Sequence, residues 1–131
     1  MSGEEPKYRC ARGSMISKLV YGLGFPLLRQ QSSVYLVEGV FDVFHCWPRA
    51  VGTFGKHLSQ AQVNVLRTVG VQEVYLLWDA ESWQTTPDLW DHAVKKLSSY
   101  FLTVPVQLPH STPTEYSMAA LDTLREAAYG L

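Results

Sequence analysis

The sequence predicts an α/β domain: a mainly parallel sheet of about four strands flanked by helices. Three observations lead there. Short apolar runs rich in β-branched, aromatic and leucine residues recur, as in Val34–Val37 and Val74–Trp78, and such runs suit strands buried on both faces. Segments with helical spacing separate them, and strand–helix alternation is the pattern of a parallel sheet. The chain has 131 residues, 47% hydrophobic and 18% charged, enough for one domain with a real core.

Residues 1–30 are set apart as an N-terminal extension with a short helix over Ser14–Tyr21, stopped by Gly22-Leu23-Gly24 and Pro26. The domain proper is expected over 31–131. Its first strand is Val34–Val37, followed by a compact helix over Val40–Trp47 that ends at Pro48. Ala50–Phe54 reads as a short second strand. Ser59 is placed as an N-cap, with Gln62 completing a capping box. Val63, Leu66 and Val69 give the helix its apolar face, and Gly70 closes it. The third strand covers Val74–Trp78. A loop rich in Ser, Thr and Pro follows, then a helix from Pro87 to Tyr100 with proline in its first turn. Leu102–Leu108 is the fourth strand, an edge strand because of Pro105. Thr114–Tyr129 is the last helix, with Met118, Leu121, Leu124 and Ala128 on one face.

Two apolar strands open onto carboxylates: Glu38 and Asp42 after the first, Asp79 and Glu81 after the third. In open α/β sheets the ligand crevice lies beyond the carboxyl ends of the strands. If the two strands are neighbours, the four carboxylates meet in one small volume. They then repel unless a cation neutralises them, and hard oxygen donors suit Mg²⁺ or Mn²⁺. Asp79 is the strongest ligand candidate; an ordinary strand-end Asp would start a turn instead. Glu38 could equally serve the helix that starts beside it, and Asp42, one helical turn on, could join the cation or pair with a base. Gly39 stands at the strand-to-helix turn, where a side chain would crowd both ligand and sheet.

The formal net charge of −1 excludes a strongly basic field for autonomous nucleic-acid binding. Cys10 and Cys46 lack metal-ligand spacing, which favours a reducing compartment. No signal peptide or run of about 18 apolar residues suggests export or membrane insertion. His45 and Cys46 sit in an apolar stretch and read as core. Trp83, beside the acidic motif, reads as a hydrophobic lid rather than a base-stacking platform.

The blocks Leu36-Val37-Glu38-Gly39-Val40-Phe41-Asp42, Ala50–Gln62 and Tyr75-Leu76-Leu77-Trp78-Asp79-Ala80-Glu81 occur in an order that resembles Toprim domains of the bacterial and phage DNA primase type. Leu19–Leu23 is similar to the segment before the first Toprim strand, so the resemblance covers about residues 19–108. Three matching blocks in order are far more specific than any one alone. The resemblance implies a Toprim-like, Rossmann-like fold and divalent-metal-dependent nucleotidyl transfer, the synthesis of RNA primers on single-stranded DNA. It implies Glu38 and Asp79 as catalytic residues. It implies Glu38, Asp42, Asp79 and Glu81 as ligands of Mg²⁺ or Mn²⁺. Lys56, Arg12 and Lys18 are candidate contacts to nucleic acid or nucleotide, beside the plainer reading of solvated basic side chains. The implied partners are a single-stranded DNA template, nucleoside triphosphates and a helicase or other replication protein, in the cytoplasm of a bacterial or phage-infected cell.

The departures from the pattern are specific. The second motif is usually Asp-x-Asp followed closely by Gly; here Glu81 replaces the second Asp, and Ser82-Trp83 follow. A third acidic pair often flanks a proline, whereas Thr112 and Thr114 flank Pro113. The sequence contains neither a Cys-rich zinc module nor a helicase-type phosphate loop. Two alternatives therefore stand beside primer synthesis. One is DNA cleavage of the Toprim nuclease or topoisomerase kind. The other is a degenerate, non-catalytic module that binds DNA or protein.

Overall fold

The computed structural model describes residues 32–47, 49–53 and 55–129. The short helix expected over Ser14–Tyr21, and Arg12 and Lys18 with it, lie outside the described residues, as does the whole extension expected over 1–30. The described residues form β1 (Ser33–Val37), α1 (Val40–His45), β2 (Ala50–Gly52), α2 (Gln60–Thr68), β3 (Glu73–Leu76), α3 (Ala80–Thr85), α4 (Pro87–Ser98), β4 (Leu102–Pro105), a 3₁₀ turn (Pro113–Glu115) and α5 (Met118–Tyr129).

All strand pairings are parallel and the sheet order is β2-β1-β3-β4. The two acid-bearing strands are therefore neighbours at the centre, with Tyr35 beside Tyr75 and Leu36 beside Leu76. Alternate side chains of each strand feed two separate cores, as a period of two requires. Val34, Leu36, Val74 and Leu76 pack under α2 and α4, with Leu58, Val63, Leu66, Trp90, Ala93 and Leu97. Tyr35, Val37 and Tyr75 face the other way, toward Val43, Cys46 and Leu121 of the α1–α5 side. The fold class read from the sequence is the one observed.

Local chemistry explains the element boundaries. Ser59 Oγ accepts the Gln62 N–H at 3.1 Å while Gln62 Oε1 accepts the Ser59 N–H at 3.0 Å, so the capping box is complete. Gly70 adopts φ +94°, the left-handed conformation that ends α2. Pro105 is the last residue of β4, at the sheet edge where its missing N–H breaks no ladder. On the α5 side, Tyr35 Oη donates to Asp122 Oδ1 at 2.7 Å, Arg49 pairs with the same oxygen, and the Arg125 guanidinium lies over the Tyr75 ring.

Two expectations need correction. The Ser/Thr/Pro-rich stretch after β3 is not a loop: Ala80–Thr85 is a helix. Tertiary bonds hold it, from Ala80 N–H to Ser111 O at 2.9 Å and from Trp83 Nε1 to Leu108 O at 2.9 Å. Likewise the segment starting at Thr114 opens as a 3₁₀ turn, and the regular helix begins only at Met118.

Candidate acidic site at the centre of the sheet

The sheet order dictates where a ligand fits. From β1 the chain crosses through α1 to β2 on one side, whereas β3 lies on β1's other side and leads away to β4. The connections leaving β1 and β3 diverge, and a crevice opens at such a switch point. Glu38 follows β1 directly, and Asp79 lies three residues beyond β3. Glu38, Gly39, Asp42, Gly55 and Asp79 line one open cleft of about 350 Å³. A larger groove of about 490 Å³ runs along β4 and the end of α5, but its lining from Leu102 to Tyr129 holds no carboxylate.

The Asp79 side chain is placed in an unusual way. It occupies the N-cap of α3, where aspartate ordinarily accepts a backbone N–H, yet it makes no side-chain cap bond. Its Oδ1 is buried and has no hydrogen-bond partner among the described residues. The turn-forming reading of Asp79 thus leaves one oxygen unexplained, since buried acceptors are normally paired.

Ser82 Oγ donates to Glu38 Oε1 at 3.4 Å, and the nearby Asp79 backbone N–H also favours the charged Glu38 carboxylate. Burial, then the Asp79 charge, lifts the Glu38 carboxyl above its ordinary range. Burial also raises Asp79, with the Asp42 and Glu81 charges acting in the same direction. Asp42 is raised by burial as well, opposed by the Gly39 N–H that its Oδ2 accepts at 3.3 Å. All three carboxyls thus sit where their charged forms are disfavoured.

Glu81 is placed differently. Its side chain is 62% exposed and its Oε1 lies 3.2 Å from Lys56 Nζ. Among the described residues, no group of three or more His, Cys, Asp or Glu side chains stands close enough to hold a metal ion together. The donor set nevertheless suits a hard cation. Mg²⁺ is commonly held by only one or two carboxylates, with waters and substrate phosphates completing the shell. Glu38 and Asp79 with its unpaired Oδ1 make such a pair.

Gly39 lines the cleft but is not needed to spare the sheet, contrary to expectation. Its φ is −121°, and a Cβ there would lie 3.7 Å from Asp42 Oδ2, an ordinary contact. The crowded position is Gly52 at the end of β2, where a Cβ would come 3.1 Å from Val43 Cγ2 and 3.6 Å from the Gly39 carbonyl oxygen. His45 bonds through Nε2 to Tyr116 O, and Cys46 is buried, its thiol pushed up to about 12 by desolvation. Trp83 is partly buried and packs against the α2–α4 core. His57 is exposed.

Sequence reasoning missed Thr53 and Ser82. Buried Thr53 donates through Oγ1 to Gly55 O at 2.7 Å, and its N–H donates to Val37 O at 3.0 Å, so it clasps the Gly55–Lys56 turn to the end of β1. No motif spacing marks such a residue.

No family model matches the chain, and no curated protein does. Among solved structures, the chain is similar to the crystal structure of the Aquifex aeolicus primase, zinc-binding and RNA polymerase domains, with a TM-score of 0.69 and 24% sequence identity. The match covers 85% of this chain and 30% of that one, so the two share a fold over a part of the primase.

Proposed function

We propose that this chain is a primase-type Toprim domain that takes part in adding ribonucleotides during primer synthesis on single-stranded DNA. One observation carries the reading: Glu38 and Asp79 line one cleft at the switch point of the sheet, and Asp79 Oδ1 is buried there without a partner among the described residues. The motif resemblance and the shared fold with part of a bacterial primase support it.

Glu38 and Asp79 would hold Mg²⁺ or Mn²⁺, with Asp42 at the rim of the cleft. A bound cation supplies neutralisation of the triphosphate and of the leaving pyrophosphate. The protein's own contribution is positioning and proton handling. The Glu38 carboxyl, its proton affinity raised by burial, is suited to accept a proton from an attacking hydroxyl. Ser82 Oγ, at 3.4 Å, is the side-chain donor to this carboxyl. The proposed partners are a single-stranded template, nucleoside triphosphates and a helicase or other replication protein, in the cytoplasm of a bacterial or phage-infected cell. No helix among the described residues is long and apolar enough to cross a membrane.

A non-catalytic module is the second reading, favoured by the engagement of Glu81 with Lys56. A template-directed assay with Mn²⁺ and ribonucleoside triphosphates separates the two. The near-neutral chain has little surface with which to position template and two nucleotides, so slow, salt-sensitive synthesis, enhanced by partner proteins, is expected. Nicking of DNA without triphosphates would move the assignment to cleavage. Neither activity under any condition would leave the binding module.

A further inference from the structure

The Lys56–Glu81 pair has a consequence for the acidic cleft itself. Lys56 follows Gly55, which lines the cleft and adopts φ +144°, a conformation that side-chain-bearing residues rarely take. The turn is not loose. Thr53 bonds Gly55 O, one residue before Lys56, and Val37 O, one residue before Glu38. Gln62 Nε2 in turn donates to Thr53 O at 3.0 Å, and both residues are buried. Lys56 and Glu38 are thus held through one clasp. The Lys56 side chain is only 22% exposed, far less than its Glu81 partner. Its charge acts on Glu38 and on Asp79, opposing the burial that raises both carboxyls.

We propose that Lys56 is the built-in cation of this cleft, seated on Glu81 at its mouth, where it stabilises the metal-free protein and competes with a divalent cation for Glu38 and Asp79. Exposed ion pairs mostly contribute little, but this one faces carboxylates that have no other counter-charge among the described residues. Glu81, at the position where the Toprim pattern has a second acidic ligand, serves to hold Lys56 rather than a metal. The inference rests on the proposed function only in taking Glu38 and Asp79 as the cation holders.

The test compares the full chain with Lys56→Met, both stripped with chelator, by thermal melting and by calorimetric titration with MnCl₂ at low salt. Lys56→Gln serves as a second variant should the first fold poorly. The expected result has opposite signs: Tm in chelator falls by several degrees, and Mn²⁺ affinity rises about tenfold, the size expected for removing a unit charge near a divalent ion in a water-like medium. Added Mn²⁺ should then restore the lost Tm. Unchanged or weaker Mn²⁺ binding by Lys56→Met would overturn the competition. If neither protein binds Mn²⁺ yet Tm falls, the metal reading of the proposed function fails while Lys56 stands as counter-charge. If Tm is also unchanged, both fail.

Discussion

Replacing Asp79 with Asn removes one charge and almost nothing else. The side chain makes no cap bond that could be lost, and the backbone N–H that serves Glu38 is untouched. In the metal-free protein the Asp79 charge stands against those of Glu38, Asp42 and Glu81, while Lys56 acts on it in the opposite sense. Two like charges about 4 Å apart repel by ~1 kcal/mol even at the permittivity of water. Asp79→Asn should therefore stabilise the chelated protein by about 1 kcal/mol, a Tm increase of roughly 3–5 °C for a domain of this size. The same change deletes half of the proposed cation pair, and Mn²⁺ affinity should fall at least tenfold, the cost of about 1.4 kcal/mol or more. Melting curves in chelator and calorimetric Mn²⁺ titrations measure the two effects on the same samples. A lowered Tm would show that Asp79 is structural, and unchanged Mn²⁺ affinity would remove it from the site.

Two further outcomes are expected. Burial and mutual repulsion raise Glu38, Asp42 and Asp79 above their ordinary values, so the folded protein binds more protons than the unfolded chain on the acid side of neutrality. Metal-free stability should rise as pH falls from 7 toward the ordinary carboxylate range, and it should drop again only where Asp122, held low by Tyr35 and Arg49 against its burial, takes up its proton; a lower Tm in chelator at pH 5 than at pH 7 would contradict this. Trp78 is fully buried and stacks edge-on to Trp90 at 6.3 Å, yet its Nε1 has no partner among the described residues. Trp78→Ala should cost ~3–5 kcal/mol, whereas Trp78→Phe should cost under about 2 kcal/mol because it also removes an unpaired buried N–H; equal losses in urea melts would refute that account.

What the sequence made legible follows from how local the determining physics is. The capping box at Ser59 and Gln62, the stop at Gly70 and the edge position of Pro105 depend on a few adjacent residues, and all three stand in the structure. Helix α3 depends on partners far along the chain, Leu108 and Ser111, and its Ser and Thr residues read locally as a loop. At the site, Glu38 and Asp79 were visible because each follows an apolar strand. That β1 and β3 are neighbours is a property of sheet order, which apolar runs do not encode. The seat of Lys56 on Glu81, the Thr53 clasp and the tightness at Gly52 are three-dimensional facts with no spacing signature.

The acidic cleft carries a cost that its neighbours do not explain. β1 and β3 are buried on both faces and locked in register, so the backbone positions of Glu38 and Asp79 are fixed by packing that would be equally good with neutral residues there. Asp42 accepts the Gly39 N–H at the start of α1, but nothing in either core requires a partly buried carboxyl at Glu38 or a cap-position aspartate, Asp79, that does not cap. Natural chains hold such locally unfavourable arrangements where a ligand removes the penalty. Neutral isosteres at these positions should therefore give a more stable domain that binds cations less well. That opposition of stability and binding, rather than the acidity of the cleft alone, is the physical reason to regard the switch point as a working site.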